Sequence, residues 1–231
     1  MGKAGVAVDT MTVYLLSIRG TLVPQTREEA RKVHNMTAGN PEGVEAARSL
    51  GDLSHMVYFP TGQAGDSTSE LLILDQWNSL EGLNTFFADH NVQEGGAMIF
   101  SMRDPVVWMP AEGFLSYHFP SPADKTERVI GIVRGRVSSH DEARRVHNEI
   151  IAGTVNAARR AGSVSHEVYF RLAEPGSPEG LEFFAVDVWQ DHAGMDAYYD
   201  NPQLMESLMK LFAAEPDTTT WARPAGDWVE W

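Results

Sequence analysis

Glu29-Ala30-Arg31-Lys32-Val33-His34-Asn35 returns 113 positions later as Glu142-Ala143-Arg144-Arg145-Val146-His147-Asn148. Ser54-His55-Met56-Val57-Tyr58-Phe59 returns after 111 positions as Ser165-His166-Glu167-Val168-Tyr169-Phe170. Leu74-Asp75-Gln76-Trp77 returns after 112 as Val186-Asp187-Val188-Trp189. The near-constant offset predicts two tandem copies of one unit of about 110 residues, far longer than a solenoid period of roughly 20–50. The expected boundaries are 1–118 and 119–231, with Phe119-Pro120-Ser121-Pro122-Ala123-Asp124-Lys125 as linker.

Each copy reads strand, helix, strand, strand, helix, strand. The stretch 12–22 is β-branched and apolar, as a strand requires. Thr26-Arg27-Glu28-Glu29 and Ser139-His140-Asp141-Glu142 are capping boxes, in which a hydroxyl bonds the N3 amide and a Glu reaches back. The first helix is expected to break at Gly39-Asn40-Pro41 and resume from Glu42 to Leu50, with Gly51 as its C-terminal cap. The second copy lacks that Pro, so its helix is expected to run unbroken to Arg160. Strands at 55–59 and 71–77 flank a Gly/Ser/Asp loop that suits an antiparallel hairpin. A helix from Ser79 carries Leu80, Leu83, Phe86 and Phe87 at helical spacing, answered by Met195, Tyr198 and Tyr199. Last strands hold Val106-Val107-Trp108 and Thr219-Thr220-Trp221.

This order is the ferredoxin-like split motif, a four-stranded antiparallel sheet with helices on one face. The other face must be buried too. Two such sheets closing face to face would make one α+β barrel with helices outside, an internal pseudo-dimer on a single chain.

A net charge of −14 with no basic run opposes a nucleic acid or an anionic membrane as partner. The chain has no cysteine, which excludes disulfides, thiolate metal sites and Cys nucleophiles and fits a reducing, cytoplasmic setting. The N-terminal residues lack the apolar core of a signal peptide, and 13–18 is too short an apolar run to span a bilayer. Phosphate-cradling, dinucleotide and nucleophile-elbow motifs are absent, as is close-spaced His pairing for a metal.

Asp75-Gln76-Trp77-Asn78-Ser79-Leu80-Glu81-Gly82-Leu83, followed by Phe86-Phe87-Ala88-Asp89-His90-Asn91-Val92, resembles the dimeric α+β barrel superfamily, in particular its antibiotic-biosynthesis-monooxygenase-like members. Asp187-Val188-Trp189-Gln190-Asp191-His192-Ala193-Gly194 matches more weakly. The resemblance implies pockets between each sheet and its covering helices. It leaves several activities open, among them cofactor-free oxygenases, heme enzymes and stress-response proteins.

The candidate residues are the polar ones that recur. His34 and His147 lie at the inner edge of an apolar helix stripe, suited to a base, a proton shuttle or an axial heme ligand. Asn35 and Asn148, poor helix formers, are candidate polar anchors. His55 and His166 open the second strand, and a hairpin would let them pair with Asp75 and Asp187. Trp77 and Trp189 share a strand face with those acids and are candidate pocket walls, with Tyr58 and Tyr169 as further substrate contacts. Strand alternation separates His55, Val57 and Phe59 from Met56 and Tyr58 without saying which set faces the helices.

The reading is a cofactor-independent, monooxygenase-like enzyme for an aromatic or polyketide-like small molecule. The alternatives are a heme protein ligated by a helix His, and a non-catalytic ligand-binding or stress-response barrel. No metal is expected, and further pairing into a homodimer stays open.

Overall fold

A computed structural model of the chain describes residues 12–61, 69–119 and 128–231. The N-terminal stretch, most of the loop after residue 60 and most of the 119–125 linker lie outside the described residues. The first half comprises β1 (Tyr14–Leu22), α1 (Arg27–Met36), α2 (Pro41–Ser49), β2 (Asp52–Pro60), β3 (Glu70–Trp77), α3 (Leu80–Ala88), α4 (His90–Ile99) and β4 (Phe100–Pro110). The second comprises β5 (Tyr117–His118), β6 (Val129–Arg136), α5 (His140–Arg160), β7 (Ser163–Arg171), a 3-10 turn (Pro178–Leu181), β8 (Glu182–Trp189), α6 (His192–Tyr199), α7 (Pro202–Met209) and β9 (Asp217–Ala222).

Local signals set the helix ends. The Thr26 hydroxyl accepts from the Glu29 amide at 3.2 Å. The Glu29 carboxylate takes the amide of Gln25, one residue before the expected partner, at 3.0 Å. Asn40 caps a new helix that opens on Pro41, so α1 and α2 are separate, whereas α5 runs unbroken for 21 residues. Two helices were not anticipated, α4 and α7. Asp89 and Asn201 restart the chain as N-caps, Asn201 with Pro202 at the first helical position.

The strands run in the order β4-β1-β3-β2-β9-β6-β8-β7, and β4 pairs with β7 to close an eight-stranded barrel. All the pairings are antiparallel. The seams are short. β4 meets β7 over 108–110, and β2 meets β9 at Phe59 and Pro60.

Period-two alternation gives each strand two jobs. One set of side chains, including Leu15, Tyr58, Leu74, Trp108, Ile130, Tyr169, Phe184 and Trp221, packs together from both halves and fills the barrel. Trp108 stacks on Phe184 with centroids 4.4 Å apart and donates its indole N–H to Ser17. The alternate set packs under the helices. His55 falls there with Val57 and Phe59, which resolves the face ambiguity. Among the described residues no helix is long and apolar enough to cross a membrane.

Candidate active site

Each half carries the same chain of four polar side chains, built from helix and strand, with the two His and the Asp buried and the Asn half-buried. In the first, Asp75 Oδ1 lies 2.7 Å from His55 Nδ1, and His55 Nε2 lies 2.9 Å from His34 Nε2. His34 Nδ1 is then 3.0 Å from Asn35 Oδ1. In the second, Asp187 to His166 is 2.7 Å, His166 to His147 is 2.8 Å and His147 to Asn148 is 3.0 Å. The antiparallel register puts the strand histidine opposite its acid in both hairpins, His55 with Asp75 and His166 with Asp187.

The far end of each relay is anchored by a strap from the other half. Asn35 Nδ2 donates to the Asp227 carbonyl at 2.7 Å, and its Oδ1 accepts from the Val229 amide at 3.1 Å. Asn148 does the same with the Gly113 carbonyl and the Leu115 amide, both at 2.8 Å. Trp228 and Trp231 lie against His34 and His55, as Phe114 and Tyr117 lie against His147 and His166.

These anchors assign the protons. With its oxygen accepting from backbone, each Asn offers only an acceptor to the helix His, so Nδ1 of that His must carry the hydrogen. Its Nε2 is then bare and must receive a hydrogen from the strand His. The strand His therefore donates from Nε2 and turns Nδ1 to the carboxyl group of Asp75 or Asp187. Burial, and then the positive charge on the strand His, push His34 and His147 down to about 4, so both stay neutral. Burial alone would lower His55, but the charge and hydrogen bond of Asp75, with Asp52 and Glu230, raise it.

The halves differ in what surrounds the relay. In the second, a cavity of about 280 Å³ lies between the sheet and helices α5, α6 and α7, and Asp187, His166 and His147 line it. Its other walls are mostly apolar, among them Ile151, Phe183, Met195, Met205 and Leu211. The Tyr199 hydroxyl donates to Asp187 Oδ2 at 3.1 Å. Burial, then the Asp187 charge, hold that phenol well above its ordinary range, so it stays a donor.

Strand register puts larger side chains around the first relay. Leu16 stands opposite Asp75 where Gly131 stands opposite Asp187. Ile73 answers Ala185, and Phe86 and Phe87 answer Tyr198 and Tyr199. The larger residues pack together with Trp77 and Trp228. Asp52 also replaces Ser163 at the start of the second strand.

Burial, then the charge of Asp75, push Asp52 up from 3.8 to about 7. A raised carboxyl contributes stability below pH 3.8 that is lost as pH rises through about 7. Asp52→Ser should therefore gain stability relative to the parent by up to about 1.4 kcal/mol per pH unit across that window. Urea unfolding at pH 4, 5.5 and 7 measures it, and a pH-independent difference between the two proteins would contradict it.

No protein-family model and no curated protein sequence matches the chain. Solved structures do. An anthrone oxidase-like protein aligns at 17% identity with TM-score 0.63, covering 95% of this chain and 94% of its own. A provisionally assigned monooxygenase of Lactobacillus acidophilus NCFM aligns at 12% identity and 0.60, covering 92% and 94%. A doubly substituted chlorite dismutase of Candidatus Nitrospira defluvii aligns at 9% and 0.54, covering 97% and 96%. The chain has the dimeric α+β barrel fold.

Within this α+β barrel the structure brings together His34, Asn35, His55 and Asp75, and separately His147, Asn148, His166 and Asp187. Trp77 and Trp189 lie on the same side of the sheet, but they pack against Phe86-Phe87 and Tyr198-Tyr199, behind the relay rather than along the cavity. Among the described residues neither indole N–H has a hydrogen-bond partner, so neither serves the acid two residues back. Tyr58 and Tyr169 point into the barrel interior, because they alternate with the histidine-bearing face. No cluster of three or more His, Asp or Glu suited to a metal exists among the described residues.

Sequence reasoning missed Tyr199, Gly131, Ala185 and the straps. Two signals were available. Phe86-Phe87 changes to Tyr198-Tyr199 at the 112-residue offset, and Phe114-x-x-Tyr117 recurs as Trp228-x-x-Trp231.

Proposed function

We propose that this α+β barrel is an internal pseudo-dimer of two ferredoxin-like repeats, 1–118 and 119–231. Its second half works as a cofactor-independent, monooxygenase-like oxidoreductase on an aromatic or polyketide-like substrate. One observation carries the reading. Asp187, hydrogen-bonded to His166 at 2.7 Å, faces a mostly apolar cavity of about 280 Å³. Its backless floor at Gly131, where an added Cβ would meet nothing closer than Met195 at 3.6 Å, suits a flat ring laid against the sheet.

The chemistry follows from the charges. Asp187 Oδ2 holds one hydrogen bond, from Tyr199, and has a lone pair left for an acidic proton of the substrate. Taking that proton leaves the His166–Asp187 pair with a net positive charge. The cation then stabilises the substrate anion in a site that excludes water. An electron-rich anion of this kind reduces dioxygen itself, so the protein supplies acid–base groups and a pocket. His147 stands one step back, accepting from His166 and holding it in place.

Heme does not fit these residues. Each helix histidine uses Nε2 for its partner His and Nδ1 for its Asn, so neither presents a lone pair to iron. The similarity in fold to chlorite dismutase thus does not make either helix histidine an axial ligand.

The test is oxygen consumption with anthrone as probe, in the presence of a metal chelator. Uptake well above the buffer rate, abolished by filling the floor with Gly131→Leu, is the expected result. Uptake equal to buffer, or unaffected by that substitution, would overturn the reading and leave a ligand-binding barrel.

A further inference from the structure

We propose that the first half retains a second ligand site in plugged form, with the four-residue relay complete and the ligand volume taken up by side chains. The relay is intact residue for residue. Asp75, His55, His34 and Asn35 reproduce the second set with donor–acceptor distances within about 0.1 Å. A packed interior needs neither a buried carboxylate nor two buried imidazoles, and polar groups there are costly unless every one is paired. Finding the full set on both sides points to a shared ligand site that one side has since filled.

The plug is specific. At the floor, Leu16 and Ile73 stand where Gly131 and Ala185 leave room. On the helix side Phe87 takes the position of Tyr199 and removes the hydroxyl that reaches the acid. The strap changes as well. Trp231 stacks on His55 at 4.6 Å, closer than Tyr117 lies to His166 at 5.6 Å. Tyr117, at the matching place, directs its hydroxyl to Ser163 at 2.9 Å and lines the cavity. Asp52 adds a second buried carboxyl beside Asp75, so His55 is flanked by two acids. The class of ligand this space would take is that of the second half, a small, flat, neutral aromatic with one acidic hydroxyl or C–H.

The inference stands on packing and does not need the oxidase reading, so the experiment does not use turnover. Wild-type crystals under xenon pressure should load gas in the second-half cavity and none among Leu16, Ile73 and Phe86. Xenon in both halves, or in neither, overturns the proposal. Leu16→Gly with Ile73→Ala leaves the relay untouched and should bind one more equivalent of 1-naphthol per chain than the parent by calorimetry. That added equivalent should be lost again on Asp75→Asn. An unchanged stoichiometry, or an added equivalent that ignores Asp75→Asn, would show a mere hole with no retained site. Should xenon load as expected while anthrone-dependent oxygen uptake is absent, the oxidase reading alone fails.

Discussion

Asp187→Asn is expected to lower anthrone-dependent oxygen uptake by about 10²–10⁴-fold, the usual range for removing a positioned acid–base group. The carboxylate accepts from His166 on one oxygen and from Tyr199 on the other. An amide has one oxygen, so one of those donors loses its acceptor. The larger effect is on charge. A neutral amide has no negative charge with which to take the acidic proton of the substrate. Asp187→Glu keeps the charge and should retain more activity than Asp187→Asn. Equal activity in the two variants, or Asp187→Asn within threefold of the parent, would remove Asp187 from the mechanism. Xenon loading of the second-half cavity, unchanged, would show that the pocket survived the substitution.

The matching change in the first half has a different readout. Asp75→Ala is expected to cost about 3–5 kcal/mol of stability, because it strands a buried charge and the hydrogen bond made to it. Asp75 is 4% exposed and His55 5%, so water cannot replace the lost partner without opening the core. Replacing both partners with apolar residues, His55→Leu with Asp75→Leu, should cost less than Asp75→Ala alone, since neither charge then remains. Urea unfolding at pH 7 decides it. A loss below about 1 kcal/mol for Asp75→Ala would mean that the pair is not an ion pair in the folded protein.

The fold was legible where the sequence repeated itself with local punctuation. Thr26, Ser139 and Ser79 cap helices where a hydroxyl precedes an apolar run, and Pro41 splits the first helix as its ring requires. The pairing of His55 with Asp75 was readable from hairpin logic alone. The pairing of His55 with His34 was not, because it depends on how the helix lies across the sheet. Tyr58 and Tyr169 were misplaced for a related reason, since alternation divides a strand into two faces without naming them. The straps escaped notice because residues 113–117 and 227–231 carry little regular structure of their own and take their meaning from a partner far along the chain.

That separation bears on the order in which the protein can be finished. Asn148 waits for a segment 35 residues before it, already made when α5 emerges. Asn35 waits for one 192 residues after it. Closing the longer loop costs about 1.5 kcal/mol more in chain entropy, and on the ribosome it also costs time. The second relay can lock while the chain is still growing. The first must stand open, its histidines wet, until residues 227–229 are made, so its relay stays exposed to aggregation and proteases for longer than the second.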